Sequence, residues 1–147
     1  IPLDRNQHWF RLHGLFREFL AKEADLTLSA AEKRDIFERA ARWSQAQGRW
    51  YDAVDYALAA GSAVLAIQIL EYSAATFVRD RGDLSQYLEW IEALRADGHE
   101  VGLEADYWYV WALVFRREYE YARQQNERLI ARFNTSSRSA TFHHRAA

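Results

Sequence analysis

The chain has 147 residues, of which 50% are apolar and 15% aromatic, a composition that excludes general disorder and supports one hydrophobic core. With 0 Cys, a disulfide framework, a thiolate metal site and a cysteine nucleophile are all excluded. A net charge of -2 gives no bulk attraction to DNA or to an anionic membrane, and no apolar run reaches the roughly 18–20 residues of a membrane span. Met is absent even at position 1, so we expect the chain to be a piece of a longer protein.

Apolar residues recur at helical spacing through most of the chain, and no stretch beyond residues 8–12 alternates with the period of a strand. The pattern predicts an all-α fold with helices near residues 13–25, 30–47, 50–60, 63–80, 84–96, 103–117 and 119–133. Their connections are short, which makes successive helices antiparallel neighbours. Two of the predicted apolar faces are Leu12, Leu15, Phe16, Phe19 and Leu20 in the first helix, and Tyr119, Ala122, Asn126, Leu129, Ile130 and Phe133 in the last.

The residues between the apolar stripes are typical of helix ends. Ser29 and Glu32 fit a capping box, in which each side chain binds the other residue's amide. Gly48 and Gly61 follow apolar stripes and suit a left-handed helix end. Residues 134–147 are polar and lack periodicity, which predicts a flexible tail or linker.

A weak internal repeat is present at the helix junctions. Residues 48–53 (GRWYDA) and 117–122 (REYEYA) both place a bulky aromatic three positions before an alanine, and residues 61–66 (GSAVLA) form a degenerate third copy. The pattern resembles the helix junction of a tetratricopeptide repeat, in which the aromatic wedges between two helices and the alanine permits a close crossing. We therefore predict antiparallel helix pairs in a tetratricopeptide-like α-solenoid.

No catalytic constellation is present in the sequence. There is no Gly-x-Ser-x-Gly, no phosphate-binding glycine loop and no His-Glu-x-x-His. His143 and His144 are adjacent, so their side chains diverge and make poor metal co-ligands. We expect a non-catalytic segment; a small helical enzyme is the remaining alternative and would need a pocket with convergent polar groups.

The sixth predicted helix is unusually aromatic, with Tyr107, Trp108, Tyr109 and Trp111 in five positions. Residues 107, 108 and 111 share a side of a helix and Tyr109 points away, so all four cannot face one core. Two interpretations stay open: these side chains are core wedges of a helical repeat, or some of them form an exposed patch for a partner helix or ligand. Tyr107, Tyr109 and Trp111 are the candidate partner-binding residues.

The segment WFRLHGLFREFL at residues 9–20 resembles one in the large ATP-binding LuxR-type (maltose-regulator-like) transcriptional regulators, which belong to the signal-transducing NTPases. The stretches AARW at 40–43, GRW at 48–50 and YALAAG at 56–61 are similar to the same family. The resemblance extends over about residues 9–96. It implies that residues 1–28 are the end of a winged-helix subdomain, 29–133 a helical arm and 134–147 a tail or linker.

The resemblance also implies a function. Such regulators are cytoplasmic bacterial activators, in which an upstream module binds and slowly hydrolyses ATP and a terminal helix-turn-helix binds DNA. This segment would contact the other domains of its parent chain, a small-molecule inducer or a second protomer, and would itself contact no DNA and no membrane. His13 matches the histidine that contacts the β-phosphate of ADP in related NTPases. An independent tetratricopeptide-like adaptor that binds a peptide or protein is the alternative.

Overall fold

The computed structural model describes residues 14–143, and the side chains of that range other than those of 17 and 136–143. The described part consists of helices with short connections and contains no strand, which confirms the predicted all-α fold class. Its elements are α1 (Gly14–Thr27), α2 (Ala30–Ala46), α3 (Trp50–Ala59), α4 (Ala63–Ala75), a π-helix (Thr76–Arg81), α5 (Leu84–Ala96), α6 (Leu103–Phe115) and α7 (Tyr119–His143).

Helix α2 begins with the predicted capping box. The Glu32 amide donates to the Ser29 hydroxyl oxygen over 3.2 Å, and the Ser29 amide donates to the Glu32 carboxylate over 2.8 Å. Because the Ser29 hydroxyl and amide both donate to that carboxylate, the pKa of Glu32 is lowered from its usual value. The box thus satisfies two amides that a helix start would leave without a partner.

The three copies of the internal repeat share one turn conformation. Their first residues, Gly48, Gly61 and Arg117, have left-handed φ angles of 69°, 66° and 64°. In each copy the next residue donates its amide to the carbonyl five positions back, over 2.8, 3.0 and 2.9 Å. This is the bonding of a Schellman helix end, which normally uses glycine at the left-handed position. Arg117 therefore adopts a backbone that its side chain disfavours.

The helices after α1 pack in a continuous stack. Helix α2 packs against α3, α3 against α4, α4 against α6, and α6 against both α5 and α7. Aromatic contacts add to this packing. The rings of Trp50 in α3 and Tyr72 in α4 lie 5.4 Å apart, and those of Tyr51 in α3 and Trp90 in α5 lie 5.0 Å apart. The core runs along the buried sides of α3 to α6, and small residues such as Ala66 and Ala105 are completely buried within it.

The fourth predicted helix changes form before it ends. From Thr76 to Arg81 the chain continues as a π-helix, and the turn closes at Gly82, where φ is 71°. Phe77 and Val78 lie in the core within this wider segment, and the Phe77 ring contacts that of Trp90 at 5.2 Å. The apolar pattern predicts helix there, but six residues are too few for it to distinguish a π-helix from an α-helix.

The structure differs from the prediction at residues 134–143, where α7 continues to His143 in place of a flexible tail. The sequence contains no Gly and no Pro after Gly102, so no residue there enforces a helix end. The Thr135 hydroxyl donates to the Ala131 carbonyl over 2.9 Å, so its polar side chain is satisfied on the helix itself.

Helix α1 has no extensive packing contact with the other described helices. Four members of its predicted apolar face, Leu15, Phe16, Phe19 and Leu20, are 72%, 51%, 55% and 41% exposed. Leu12 and the rest of residues 1–13 lie outside the described residues, so the winged-helix interpretation of residues 1–28 stays a prediction.

Candidate protein-interaction surface

Helix α6 carries a row of exposed aromatic side chains. Tyr107, Trp111 and Phe115 follow one another at intervals of four residues and are 44%, 40% and 51% exposed. Side chains at this spacing lie on one face of a helix. The centroids of neighbouring rings in the row are 6.4 and 5.7 Å apart, so the three rings form one continuous apolar row.

A groove lies between α7 and the end of this row that Tyr107 forms. The groove has a volume of about 340 Å³, and its lining residues are Leu103, Glu104, Tyr107, Leu129, Ile130 and Phe133. Ile130 is 51% and Phe133 59% exposed, and Tyr119 at the start of α7 is 62% exposed. Positions 119, 130 and 133 share one side of a helix. We call Tyr107, Trp111, Phe115, Tyr119, Ile130 and Phe133 together the α6–α7 apolar face.

A buried ionic cluster fixes α7 beside α6 at the groove. The Asp106 side chain is only 5% exposed and forms ion pairs with Arg95 of α5 and Arg132 of α7. Arg132 also donates to the Val101 carbonyl over 2.8 Å. Burial lowers the pKa of Arg95. One carboxylate thus joins three helices. Removing it would take the ion-pair partner from Arg95 and leave Arg132 with only the more distant, exposed Glu100, 3.8 Å away.

Tyr109 occupies the opposite side of α6, so its prediction as a partner-binding residue is wrong. It is fully buried, its hydroxyl donates to the Glu92 carboxylate over 3.0 Å, and the Arg95 guanidinium lies 4.2 Å from its ring centre. Burial, with the hydrogen bond to Tyr121 and the charge of Glu92, raises its pKa. Of the three candidates, Tyr107 and Trp111 lie on the surface and Tyr109 belongs to the core.

A carboxylate from another helix holds the start of α6. The amides of Glu104 and Ala105 each donate to one Glu71 oxygen over 2.9 Å. Glu71 thereby caps a helix that has no side-chain cap of its own, and its charge is favourable at the positive end of the helix. Gly102 lies so close that a Cβ there would overlap the Glu71 carboxylate.

The structure gives little information on the histidines considered in the sequence analysis. His13 and His144 lie outside the described residues, and His143 ends α7 without a described side chain. Ile130 and Phe133 belong to a predicted apolar face of the last helix but were not predicted to form a surface site, and Asp106 was not among the predicted site residues. No local signal identifies Asp106, because its two partners lie 11 and 26 positions away.

The described residues contain neither a cluster of metal-binding side chains nor a helix suited to cross a membrane. Between residues 14 and 143, no group of three or more His, Asp or Glu side chains could hold a metal ion. Over the same range, no helix combines the length and the apolar character that crossing a bilayer requires.

Comparison with known proteins gives partial similarity only. No protein-family model matches the chain, and no solved structure matches it. The chain is 33% identical over 68 residues to the serine/threonine-protein kinase PknK of Mycobacterium tuberculosis, in strains CDC 1551 and H37Rv, and to PknK of Mycobacterium bovis. Those residues are 46% of this chain and 6% of PknK, so the match covers a small fraction of these curated relatives.

Proposed function

We propose that the chain is a non-catalytic coupling and protein-interaction segment of a LuxR-type, ATP-dependent transcriptional activator. The observation that carries the coupling role is the continuous packing of α2 on α3, α3 on α4, α4 on α6 and α6 on α7, with α5 packed on α6. The resemblance of residues 9–20 and 40–61 to such regulators supports the choice of parent protein. On this proposal the parent is a cytoplasmic bacterial protein.

The packing suits a relay of conformational change. Helix α6 contacts α4, α5 and α7, so a shift of one helix alters the surroundings of three others. The buried sides of α4 and α6 include Ala66, Ala74, Ala105 and Ala112. Small residues at such a crossing let helices approach closely, and packed helix interfaces change between discrete arrangements. Nucleotide or inducer state in the parent would reach the DNA-binding and oligomerisation regions through this stack.

The nucleotide itself would be bound by other domains of the parent. ATP or ADP is the proposed cofactor there, and His13 is the proposed contact to the ADP β-phosphate. His13→Ala in the full-length parent should weaken ADP binding and lower the inducer concentration needed for activation. Isothermal titration with ADP measures the first effect and a transcription assay the second. Unchanged ADP affinity together with an unchanged activation threshold would remove this role.

The similarity to PknK is compatible with a signalling parent and adds no catalytic role. The sequence contains neither His-Arg-Asp nor Asp-Phe-Gly, the motifs with which protein kinases hold the catalytic base and magnesium. The kinase activity that the name states is therefore a property of PknK, and it is not part of the function proposed for this chain.

The decisive test of whether the parent protein is a LuxR-type regulator is the coding sequence on either side of these residues. We expect a phosphate-binding loop upstream and a helix-turn-helix downstream, in one reading frame. Stop codons close to both ends would contradict the proposal and favour the alternative, an independent adaptor with tetratricopeptide-like helix pairs.

The adaptor alternative is favoured by one observation, the exposed apolar groove between α6 and α7. An adaptor would bind a peptide or protein helix there through apolar anchors. Removal of the flanking domains should then leave partner binding intact, whereas a coupling segment should lose its effect on transcription when it is separated from them.

A further inference from the structure

We infer that the outer part of α7 is a separately opening segment, which a latch of polar and ionic contacts closes onto α5, α6 and the loop between them. We call residues 125–135 the outer α7 segment, and we expect it to detach as one unit while α2 to α6 stay folded. The inference rests on the contacts of α7 and holds for either proposed function.

The beginning of α7 is attached to the rest of the chain by apolar contacts. Ala122 is 3% exposed and belongs to the hydrophobic core. The neighbouring Tyr121 ring contacts the buried Tyr109 ring, and their centroids lie 6.5 Å apart. Among the described side chains of α7, which end at residue 135, Ala122 is the only one in that core. Beyond it, the burial of apolar side chains therefore contributes little to holding α7 in place.

The outer α7 segment is held mainly by polar side chains. Gln125, Leu129 and Arg132 follow at intervals of four and three residues, so they lie on one face of the helix, and all three are partly buried. The Gln125 side-chain oxygen accepts a hydrogen bond from Arg95 over 3.3 Å, and Arg132 forms its ion pair with Asp106. Leu129 is the one apolar member of this face, and it borders the open groove.

The loop between α5 and α6 supplies the other contacts. Glu100 pairs with Arg128 over 3.3 Å and with Arg132 over 3.8 Å, and the Val101 carbonyl accepts from Arg132 over 2.8 Å. The Glu100 side chain is 67% exposed, so water and salt compete with both of its ion pairs. Regions with few buried apolar contacts open before the rest of a protein, which favours opening of this segment first.

Opening would change both the segment and what it covers. A helical segment that has lost its packing is only marginally stable in water, so the detached segment should lose helical order. It would also uncover the Asp106 carboxylate, which is 5% exposed while Arg132 is paired with it. The latch would therefore be released by any change that removes the charge of either partner.

The test is hydrogen exchange of the 147-residue chain, followed by mass spectrometry of overlapping peptides. In the wild type, the amides of the outer α7 segment should exchange together and faster than those of α4 and α6. Arg132→Gln removes three contacts of the segment and should raise its exchange rate at least about tenfold, with α4 and α6 changing less than about twofold. The matched control is Arg123→Gln, because the ion pairs of Arg123 with Glu120 and Glu127 stay within α7. It should change the rate less than about threefold.

Glu100→Gln is a second variant, at an exposed loop position, and it replaces Arg132→Gln if circular dichroism shows that Arg132→Gln is unfolded. It should raise the exchange rate of the segment about two- to threefold, and about 1 M NaCl should abolish this difference, because the Debye length is then about 3 Å.

Four results would overturn the inference. The segment could exchange as slowly as α4 and α6, or its rates could only increase gradually toward the end, as in a fraying helix. The folded variant could leave the rate of the segment unchanged, or it could accelerate α4 and α6 by the same factor. An effect of Arg123→Gln as large as that of Arg132→Gln would count against it equally, because the stability of the helix itself would then explain both.

Discussion

The two sides of helix α6 carry similar side chains in opposite surroundings. Tyr109 has no exposed surface, whereas Tyr107, two positions earlier, is 44% exposed. Tyr109 is enclosed by Glu92 and Arg95 of α5 and by Tyr121 of α7. Tyr107 contacts the rings of Trp108 and Trp111 on its own helix and borders an open groove.

The difference lies in what the rest of the chain brings to each side. A helix that is apolar all round has no preferred face of its own. The side that α4, α5 and α7 cover becomes core, and the other side remains available for a partner. Aromatic content therefore indicates that α6 is important for packing, and only the neighbouring helices decide which aromatic residues are core.

The largest expected effect comes from truncating one tyrosine on each side. Tyr109→Ala should lower the free energy of unfolding by about 3–5 kcal/mol, because it opens a cavity at a fully buried position and removes the ring that packs against Arg95. Tyr107→Ala should lower it by less than about 1 kcal/mol, as is usual at an exposed position. Urea unfolding followed by circular dichroism measures both. Equal losses at the two positions would contradict the assignment of core and surface.

A somewhat smaller effect is expected where charge, rather than volume, joins the helices. Asp106→Asn keeps the shape of the side chain but removes the ion-pair partner of Arg95 and leaves Arg132 with only the exposed carboxylate of Glu100, 3.8 Å away. Because the Arg132 side chain is 23% exposed and can reach water, we expect a loss of about 2–3 kcal/mol, below the value for fully buried pairs. Asp35→Asn, at a side chain 68% exposed, is the control and should change stability by less than about 0.5 kcal/mol. Similar losses in both variants would mean that the cluster does not hold the helices together.

The helices themselves were predictable because their signals are local. The capping box at Ser29 and Glu32 and the glycine turns at positions 48 and 61 depend on residues a few positions apart, and the structure contains all of them. The predicted end of the last helix at residue 133 was too early, because a polar sequence without Gly or Pro can still continue a helix, and α7 runs to His143. The tail or linker over residues 134–147 stays a prediction. The winged-helix and tetratricopeptide-like descriptions stay predictions.

The candidate site was less predictable because it depends on distant residues. Tyr107 and Trp111 could be named from the aromatic cluster, but the periodicity could not decide whether Tyr109 faces partner or core. The groove needs Ile130 and Phe133 from another helix, and the ionic cluster needs Arg132, which follows Asp106 by 26 positions. Contacts over such separations follow from the packing and have no spacing rule.

The connection between α4 and α6 can be tested through the Glu71 cap. Gly102→Ala should displace the Glu71 carboxylate from the two amides and cost about 1–2 kcal/mol. Glu71→Ala should cost a similar amount by removing the cap directly. The double variant should lose less than the sum, because the added methyl group has no carboxylate left to displace. Strictly additive losses in chemical denaturation would show that Gly102 and Glu71 act independently.

The smallest expected effect is a gain in stability at the turn between α6 and α7, which joins the two helices of the apolar face. Arg117 has the left-handed φ that glycine has in the other two copies, and such a conformation costs a non-glycine residue about 1 kcal/mol or more. Arg117→Gly should therefore raise the free energy of unfolding by about 0.5–1 kcal/mol, because the relief of backbone strain exceeds the cost of the larger conformational entropy that glycine gives the unfolded chain.

The reverse change at the equivalent turn is the matched control. Gly48→Ala should lower stability by about 1 kcal/mol, and since no atom lies within 4 Å of the added Cβ, the loss measures the backbone alone. A pair of opposite shifts would establish that the repeats share a turn whose energy depends on the residue at its left-handed position. A loss on Arg117→Gly would instead mean that the arginine side chain stabilises the α6–α7 turn by more than its backbone strain.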